Sequence, residues 1–429
     1  MTAEVALMNK QAVALAADSA VTVVGSRGNK IYNAANKLFA LSKWEPVGVM
    51  VYGGAEYMGI PWETVLKIYR EQLAKTSFPH VEDYFNDLMK FLGENDELFG
   101  DDAQTANVLQ LAMRIFNNMK GEIRARIDAL IRADPSKKPG APEITALVKD
   151  VIAENHSKVA KKELGFEMDE VHETSVRERY KDTIDEARTT VFEELPLEDS
   201  DEELLRDAVV FSLTRNTFMP DAPGVVVAGF GNRDHFPALC SAIVHGRVAG
   251  KLKREETDLY EIENENASIV VPFAQIDAVQ LFVEGIDPSH IRFAMKLMAK
   301  KLDGFMHDIL DALEMNDSDK AKSAGEWDKL ARKCVEDFSE EARQARIRNY
   351  VLPLLDVIAV LPKDELAAVA EALVNITSLR RKVSMDAETV GGPIDVAVIS
   401  KGDGLVWIHR KHYFRSELNP QFLERYFAT

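Results

Sequence analysis

The sequence predicts an α+β fold, and three observations carry that expectation. The first ~50 residues place apolar side chains two apart, with Val5, Leu7, Val13 and Leu15 on either side of a polar Asn9-Lys10-Gln11 turn. A long charged middle section then repeats its apolar residues at threes and fours, the period of helices. Valine-rich strand patterns return at Gly224–Gly231, and again near the C-terminus at Ile394–Ile399 and Leu405–Ile408. Strands and helices gathered in separate runs point to α+β rather than to alternating β-α units.

Taken in order, the second strand stops at Ala16-Ala17-Asp18-Ser19, and a loop holding Gly25, Ser26, Arg27, Gly28 and Asn29 follows. Strand patterns resume at Leu38–Leu41 and Val47–Tyr52 and end at Gly53-Gly54. Tyr57, Ile60, Val65, Leu66, Ile68, Tyr69 and Leu73 mark a helix over Ala55–Lys75, with Pro61 in its first turns, where proline is tolerated. A second helix spans about His80 to Leu92. From Gly93 to Pro220 the chain is charged, with helices expected at Ala103–Ile131, Ile144–Lys162, Val171–Glu194 and Glu202–Leu213, and a Pro/Gly break over Ala133–Gly140. The acidic run between Glu193 and Asp207 reads as a solvated helix face, with recognition of a partner as the alternative. Gly229-Phe230-Gly231 lacks the third glycine and the following helix of a dinucleotide loop. Strands continue over Ala238–Val244, Asp258–Ile262 and Ser268–Val271, and Phe273–Val283 reads as a helix. Pro288–Glu314 and Trp327–Arg348 read as helices around a polar Asn316–Gly325 linker. Pro362 opens a helix closed by Arg380, Arg381 and Lys382, whose charges suit its C-terminal end. An Asp-Gly turn at Lys401–Gly404 joins the last two strands. The expected organisation is a core over 1–92, 221–287 and 362–429, with helical insertions at 93–220 and 288–361.

At 429 residues the chain is long enough for two or three domains. A formal net charge of −18 argues against a nucleic-acid surface and against binding to anionic membranes. Two cysteines, Cys240 and Cys334, supply neither a disulfide framework nor a zinc site, and no apolar run reaches membrane-spanning length. No secretory pattern stands at the N-terminus. The expectation is a cytoplasmic protein without metal or organic cofactor.

The chemistry concentrates near the N-terminus. A small second residue lets aminopeptidase remove Met1, leaving Thr2 with both a hydroxyl and a free α-amine. An α-amine titrates at about 7.7–8.0 and can act as base for its own hydroxyl. Lys37 can lower local proton affinity, Asp18 can hold Lys37, and the backbone N–H groups at Gly53 and Gly54 can meet an oxyanion. Taken singly, Asp18 also suits a turn cap, Lys37 a solvated surface, and Gly53-Gly54 a phosphate-binding turn.

Thr2, Ala16-Ala17-Asp18-Ser19, Asn36-Lys37-Leu38 and Gly53-Gly54-Ala55-Glu56, in that order, resemble the proteasome β-subunits and the bacterial peptidase HslV, N-terminal-nucleophile hydrolases. The resemblance covers roughly Thr2–Leu92, Gly224–Asp287 and Pro362–His409. It implies a four-layer αββα sandwich with two helical insertions, Thr2 as nucleophile, Asp18 and Lys37 beside it, and Gly53 as oxyanion donor. Asp386-Ala387-Glu388-Thr389-Val390-Gly391-Gly392 resembles the family's Asp-Ala-aromatic-Ser-Gly-Gly, one residue longer, so Asp386 and Thr389 are the residues implied to orient the amine. The family's Ser-Gly-Ser is replaced by Val271-Pro272-Phe273-Ala274-Gln275; Gln275 can stand in as a hydrogen-bonding group, or Ser268 if the alignment slips. The resemblance implies a homo-oligomeric threonine peptidase acting on peptide or protein substrates, with an ATPase or regulatory partner as a further expectation. A small-amide hydrolase or acylase with the same nucleophile and a catalytically silent scaffold of the same fold are the alternatives.

Overall fold

Strands β1 (Ala3–Asn9) and β2 (Val13–Ala17) form an antiparallel hairpin in the register Val5↔Ala16 and Leu7↔Ala14. Asn9 builds the turn. Its N–H donates to Ala12 O at 3.1 Å, and its Oδ1 accepts from the N–H groups of Gln11 and Ala12 at 2.9 and 3.2 Å, the local bonding that suits Asn to turns. Both strands are buried along their whole length, so apolar residues occupy both faces. Glu4 is the charged exception within β1. The computed structural model describes the chain apart from residues 1, 26–27, 135–138, 194, 196, 314–316, 384–389, 413, 416–417, 422–423 and 425–429, with backbone alone for 22–25, 28–31, 317–319 and 321. The chain divides into two units, Met1–Leu38 with Glu261–Thr429, and Phe39–Tyr260. The stretch expected as a loop carries strands β3 (Val21–Gly25) and β4 (Gly28–Tyr32), paired with each other.

The unit Phe39–Tyr260 begins in β5 (Leu38–Ala40) and continues with β6 (Val47–Tyr52), β7 (Glu56–Tyr57) and β8 (Ile60–Pro61), then helices α1 (Trp62–Leu73) and α2 (Val81–Glu94). The helix expected from Ala55 starts only at Trp62, because the chain first reverses at Gly59 (φ +80°) to pair β7 with β8. Helices α3 (Asp96–Phe99), α4 (Asp101–Ala133), α5 (Ala141–Ala160), α6 (Glu170–Arg179), α7 (Lys181–Phe192) and α8 (Asp199–Thr214) follow. Helices α4 to α8 pack around an apolar centre of their own that includes Val108, Phe116, Val148, Ile184 and Val209. The single helix expected over Val171–Glu194 is two helices. They part at buried Tyr180, whose backbone leaves helical angles and whose hydroxyl accepts from Ala249 N at 3.1 Å. Strands β9 (Gly224–Gly229), β10 (Ala238–Val248), β11 (Lys251–Arg254) and β12 (Asp258–Glu261) complete a sheet of order β11-β10-β9-β6-β5, with β12 on β10. Val49, Val51, Val225 and Val227 pack against Trp62, Tyr69, Phe85 and Leu88 of α1 and α2. A Cβ at Gly229 or Gly231 would lie 2.1 Å from the carbonyl oxygen of Pro46 or Pro79, so close backbone approach accounts for both glycines.

The other unit resumes with β13 (Ser268–Ala274), which pairs antiparallel with β1 from Ala3↔Ala274 to Asn9↔Ser268. Phe273 and Ala274 are therefore strand, and the helix expected from Phe273 is α9 (Asp277–Glu284). Pro272 is accommodated because β13 is the sheet edge, in the order β13-β1-β2-β14-β15, with β14 (Asp395–Ser400) and β15 (Gly404–His409). Helices α10 (Pro288–Ala312) and α11 (Asp317–Arg346), a π-helical turn (Ile347–Val351), α12 (Leu352–Val360) and α13 (Lys363–Val383) lie between. The expected Asn316–Gly325 linker is helical from Asp317 onward; Asn316 lies outside the described residues. Nothing lies near the Cβ position of Gly325, and an open helix face tolerates small polar residues. Val5, Leu7, Ala14 and Val396 pack against Ile358 of α12 and Leu366, Ala370 and Leu373 of α13. Among the described residues no helix is long and apolar enough to cross a membrane.

Candidate active site

Side chains alternate along a strand. Ala3, Val5 and Leu7 enter the apolar layer under α13, so Thr2 and Glu4 share the opposite side of the strand. Thr2 immediately precedes β1, and its carbonyl accepts from Gln275 N at 3.3 Å. Asp18 immediately follows β2 and is tied to the same end of the hairpin. Its N–H donates to Ala3 O at 3.1 Å, and its Oδ1 accepts from Ala3 N at 3.2 Å. Its Oδ2 accepts from Gly391 N at 2.9 Å. Lys37 Nζ donates to Asp18 Oδ1 and lies 3.0 Å from Oε1 of Glu4. The side chains of Glu4 and Asp18 are fully shielded from solvent, and Lys37 is 5% exposed as a residue.

Two carboxyl groups thus share one ammonium in a buried space. Burial pushes the Glu4 carboxyl up from 4.5 to about 7; Lys37 opposes this, Asp18 reinforces it, and the neighbouring Thr2 side chain favours the charged form. Neither Glu4 oxygen has a donor in good hydrogen-bond alignment, although Lys37 stands at ion-pair distance. Asp18, by contrast, has donors converging on both oxygens. The two acids therefore have different surroundings around the same cation, an arrangement suited to moving a proton.

Of the residues singled out from the sequence, Thr2, Asp18 and Lys37 come together in this cluster. Asp386 and Thr389 lie outside the described residues. The chain is described again from Val390, and it meets the cluster through its backbone: Gly391 N donates to Asp18, and Gly391 O accepts from Ser19 N at 3.2 Å. Gly392 has φ +80°, and a Cβ there would sit 2.8 Å from Asn33 Cβ, so that corner requires glycine. Gln275 is beside Thr2 through its N–H, while its side-chain oxygen accepts from Arg381 Nε. Ser268 does not stand in for the missing serine: it pairs with Asn9 at the far end of β1, and its hydroxyl donates to Leu355 O at 2.7 Å. Gly53 belongs to the other unit, where it ends β6 at φ +77°. A Cβ there would lie 2.5 Å from Ala222 O, which accounts for glycine at this position.

Glu4 is the residue that sequence reasoning missed. Its signal was a lone carboxylate inside an otherwise apolar strand, two residues from Thr2. A buried charge needs a partner, and Lys37 supplies it. His409 is exposed and lies 3.1 Å from Glu371. Among the described residues no three His, Cys, Asp or Glu side chains gather as a metal site. Compared with protein-family models and with curated protein sequences, the chain matches none.

Proposed function

We propose that the chain is a proteasome-like threonine hydrolase that cleaves amide bonds, with Thr2 as the nucleophile after removal of Met1. The observation that carries the reading is the buried meeting of Thr2, Asp18 and Lys37 at one end of the β1–β2 hairpin, reached through three separate stretches of chain. In this reading the Thr2 oxygen attacks the carbonyl, Lys37 supplies positive charge as negative charge develops, and an acyl-threonine ester forms and is hydrolysed. The four-layer αββα arrangement and the Gly53 N–H as oxyanion donor are part of the same reading, and rest on the order of motifs in the sequence. Asp386 and Thr389 keep the orienting role that the resemblance implies.

Peptides are the expected substrates and a homo-oligomer the expected state. Phe293, Phe305, Leu330, Tyr350 and Val360, on the helices between β13 and β14, are large apolar side chains left exposed, which supports self-association. A second reading, a small-amide hydrolase or acylase, is favoured by the burial of Thr2, which is 1% exposed and suits a closed pocket better than an open groove. The test is hydrolysis of a panel of peptide and N-acyl amides by wild type, Thr2→Ser and Thr2→Ala. Turnover by wild type and Thr2→Ser but not by Thr2→Ala supports the reading, and the cleaved class decides between peptidase and acylase. Undiminished turnover by Thr2→Ala contradicts it.

A further inference from the structure

We propose that Glu4, rather than the α-amine of Thr2, is the base that takes the Thr2 hydroxyl proton; this rests on Thr2 being the nucleophile. Thr2 and Glu4 stand two apart on the same side of the β1 end, so the hydroxyl and the carboxyl are neighbours by strand geometry alone. The carboxyl is fully shielded, lies 3.0 Å from Lys37 Nζ, and has no well-aligned donor on either oxygen. A buried acceptor left in that condition costs free energy in a structural role. It is also what a base needs: acceptor capacity kept open for an arriving proton, with contacts that tighten when substrate is bound.

The other described groups near Glu4 are engaged elsewhere or uncharged. Asp18, at the end of β2, has its oxygens engaged by Ala3, Gly391 and Lys37. The β-sheet partners of Glu4 are Ala17 and Phe273, which carry no charge. Arg381, reaching over from α13, donates to Gln275. Among the described residues, Lys37 is thus the cation and Asp18 the anion that face the Glu4 carboxyl. Burial together with Asp18 brings its titration to about 7, near where a general base works best.

As the bond from Thr2 Oγ to the substrate carbonyl carbon forms, the Oγ–H bond breaks and its proton moves to Glu4. When the C–N bond breaks, that proton passes to the departing nitrogen and Glu4 returns to carboxylate. Water then gives a proton to Glu4 as its oxygen attacks the ester, and the proton returns to Thr2 Oγ as the ester C–O bond breaks.

The test is the rate at which a β-lactone acylates Thr2, followed by mass spectrometry across pH, for wild type, Glu4→Gln and Glu4→Asp. The wild-type rate is expected to rise through an inflection near pH 7 that stays in place on warming, because carboxyl ionisation is nearly athermal while that of an amine is not. Glu4→Gln is expected to lose the inflection and to slow by about 10²-fold or more, and Glu4→Asp to be slower than wild type while keeping an inflection. A Glu4→Gln profile that retains the wild-type inflection, or a wild-type inflection that shifts on warming as an amine does, overturns the role of Glu4 alone. The temperature test needs no variant to fold. A wild-type protein that takes no adduct at Thr2 overturns the nucleophile and, with it, Glu4 as its base.

Discussion

Replacing Glu4 by glutamine changes the pH dependence of stability in a direction fixed by its surroundings. Folded Glu4 holds its proton more tightly than the unfolded chain does, titrating at about 7 against 4.5. Its contribution is therefore fully present below the unfolded value and is lost as pH rises through about 7. That interval corresponds to about 3 kcal/mol at 1.36 kcal/mol per pKa unit, an order-of-magnitude figure. Glutamine has the same shape and no titrating proton, so the variant lacks this loss. Any pH-independent cost of weakening the Lys37 contact cancels when the two proteins are compared at two pH values. The assay is urea unfolding of wild type and Glu4→Gln at about pH 4.5 and about pH 9, followed by circular dichroism. The variant is expected to gain about 3 kcal/mol on wild type between the lower and the higher pH. A difference between the proteins that stays constant across pH would refute the argument that burial outweighs Lys37 at Glu4.

Substitutions at three other positions probe the frame. Gly53→Ala places a side chain at φ +77° with its Cβ 2.5 Å from Ala222 O; a loss of at least about 1–3 kcal/mol is expected in denaturant unfolding. Asn9→Ala removes the β1–β2 turn bonds and two donations, to Ile358 O at 3.0 Å and Leu361 O at 2.9 Å, costing about 2 kcal/mol or more. Asn9→Asp keeps the turn acceptor without those donors and should fall between alanine and wild type in the same measurement. Lys253 is buried, donates to Arg215 O, and is pushed down by burial from 10.5 to about 7. The unfolded chain binds this proton more tightly, so this group makes stability rise with pH between about 7 and 10.5. Lys253→Met should flatten that rise in unfolding experiments across the alkaline range.

Much of the fold was legible because local and tertiary signals agree. The two-residue period around Asn9 gave the first hairpin its strands, and Asn9 completes the turn with its own side chain. The threes-and-fours pattern located α4, α5 and α8, whose apolar faces meet in one shared centre. Departures arose where distant contacts decide. The short apolar run at Phe273 fits helix or strand by pattern, and pairing with β1 makes it strand. The helix break at Tyr180 accompanies a bond to Ala249, far along the chain. Asp317–Gly325 has the composition of a linker yet continues a helix whose exposed face tolerates it. Within the candidate site, Thr2, Asp18 and Lys37 could be picked out by their residue chemistry and by the order of motifs that the resemblance rests on. Glu4 could not, because one carboxylate in a strand has no pattern, and its meaning depends on a lysine brought in from beyond β4.

The most direct measurement is the intact mass of the protein purified from its native host, with and without a threonine-directed epoxyketone, followed by peptide mapping. Loss of one methionine and a single adduct on Thr2, absent from Thr2→Ala, is the result expected of a threonine nucleophile. Met1 retained and no adduct formed would contradict it, and would leave the buried Thr2, Glu4, Asp18 and Lys37 cluster as part of a non-catalytic scaffold.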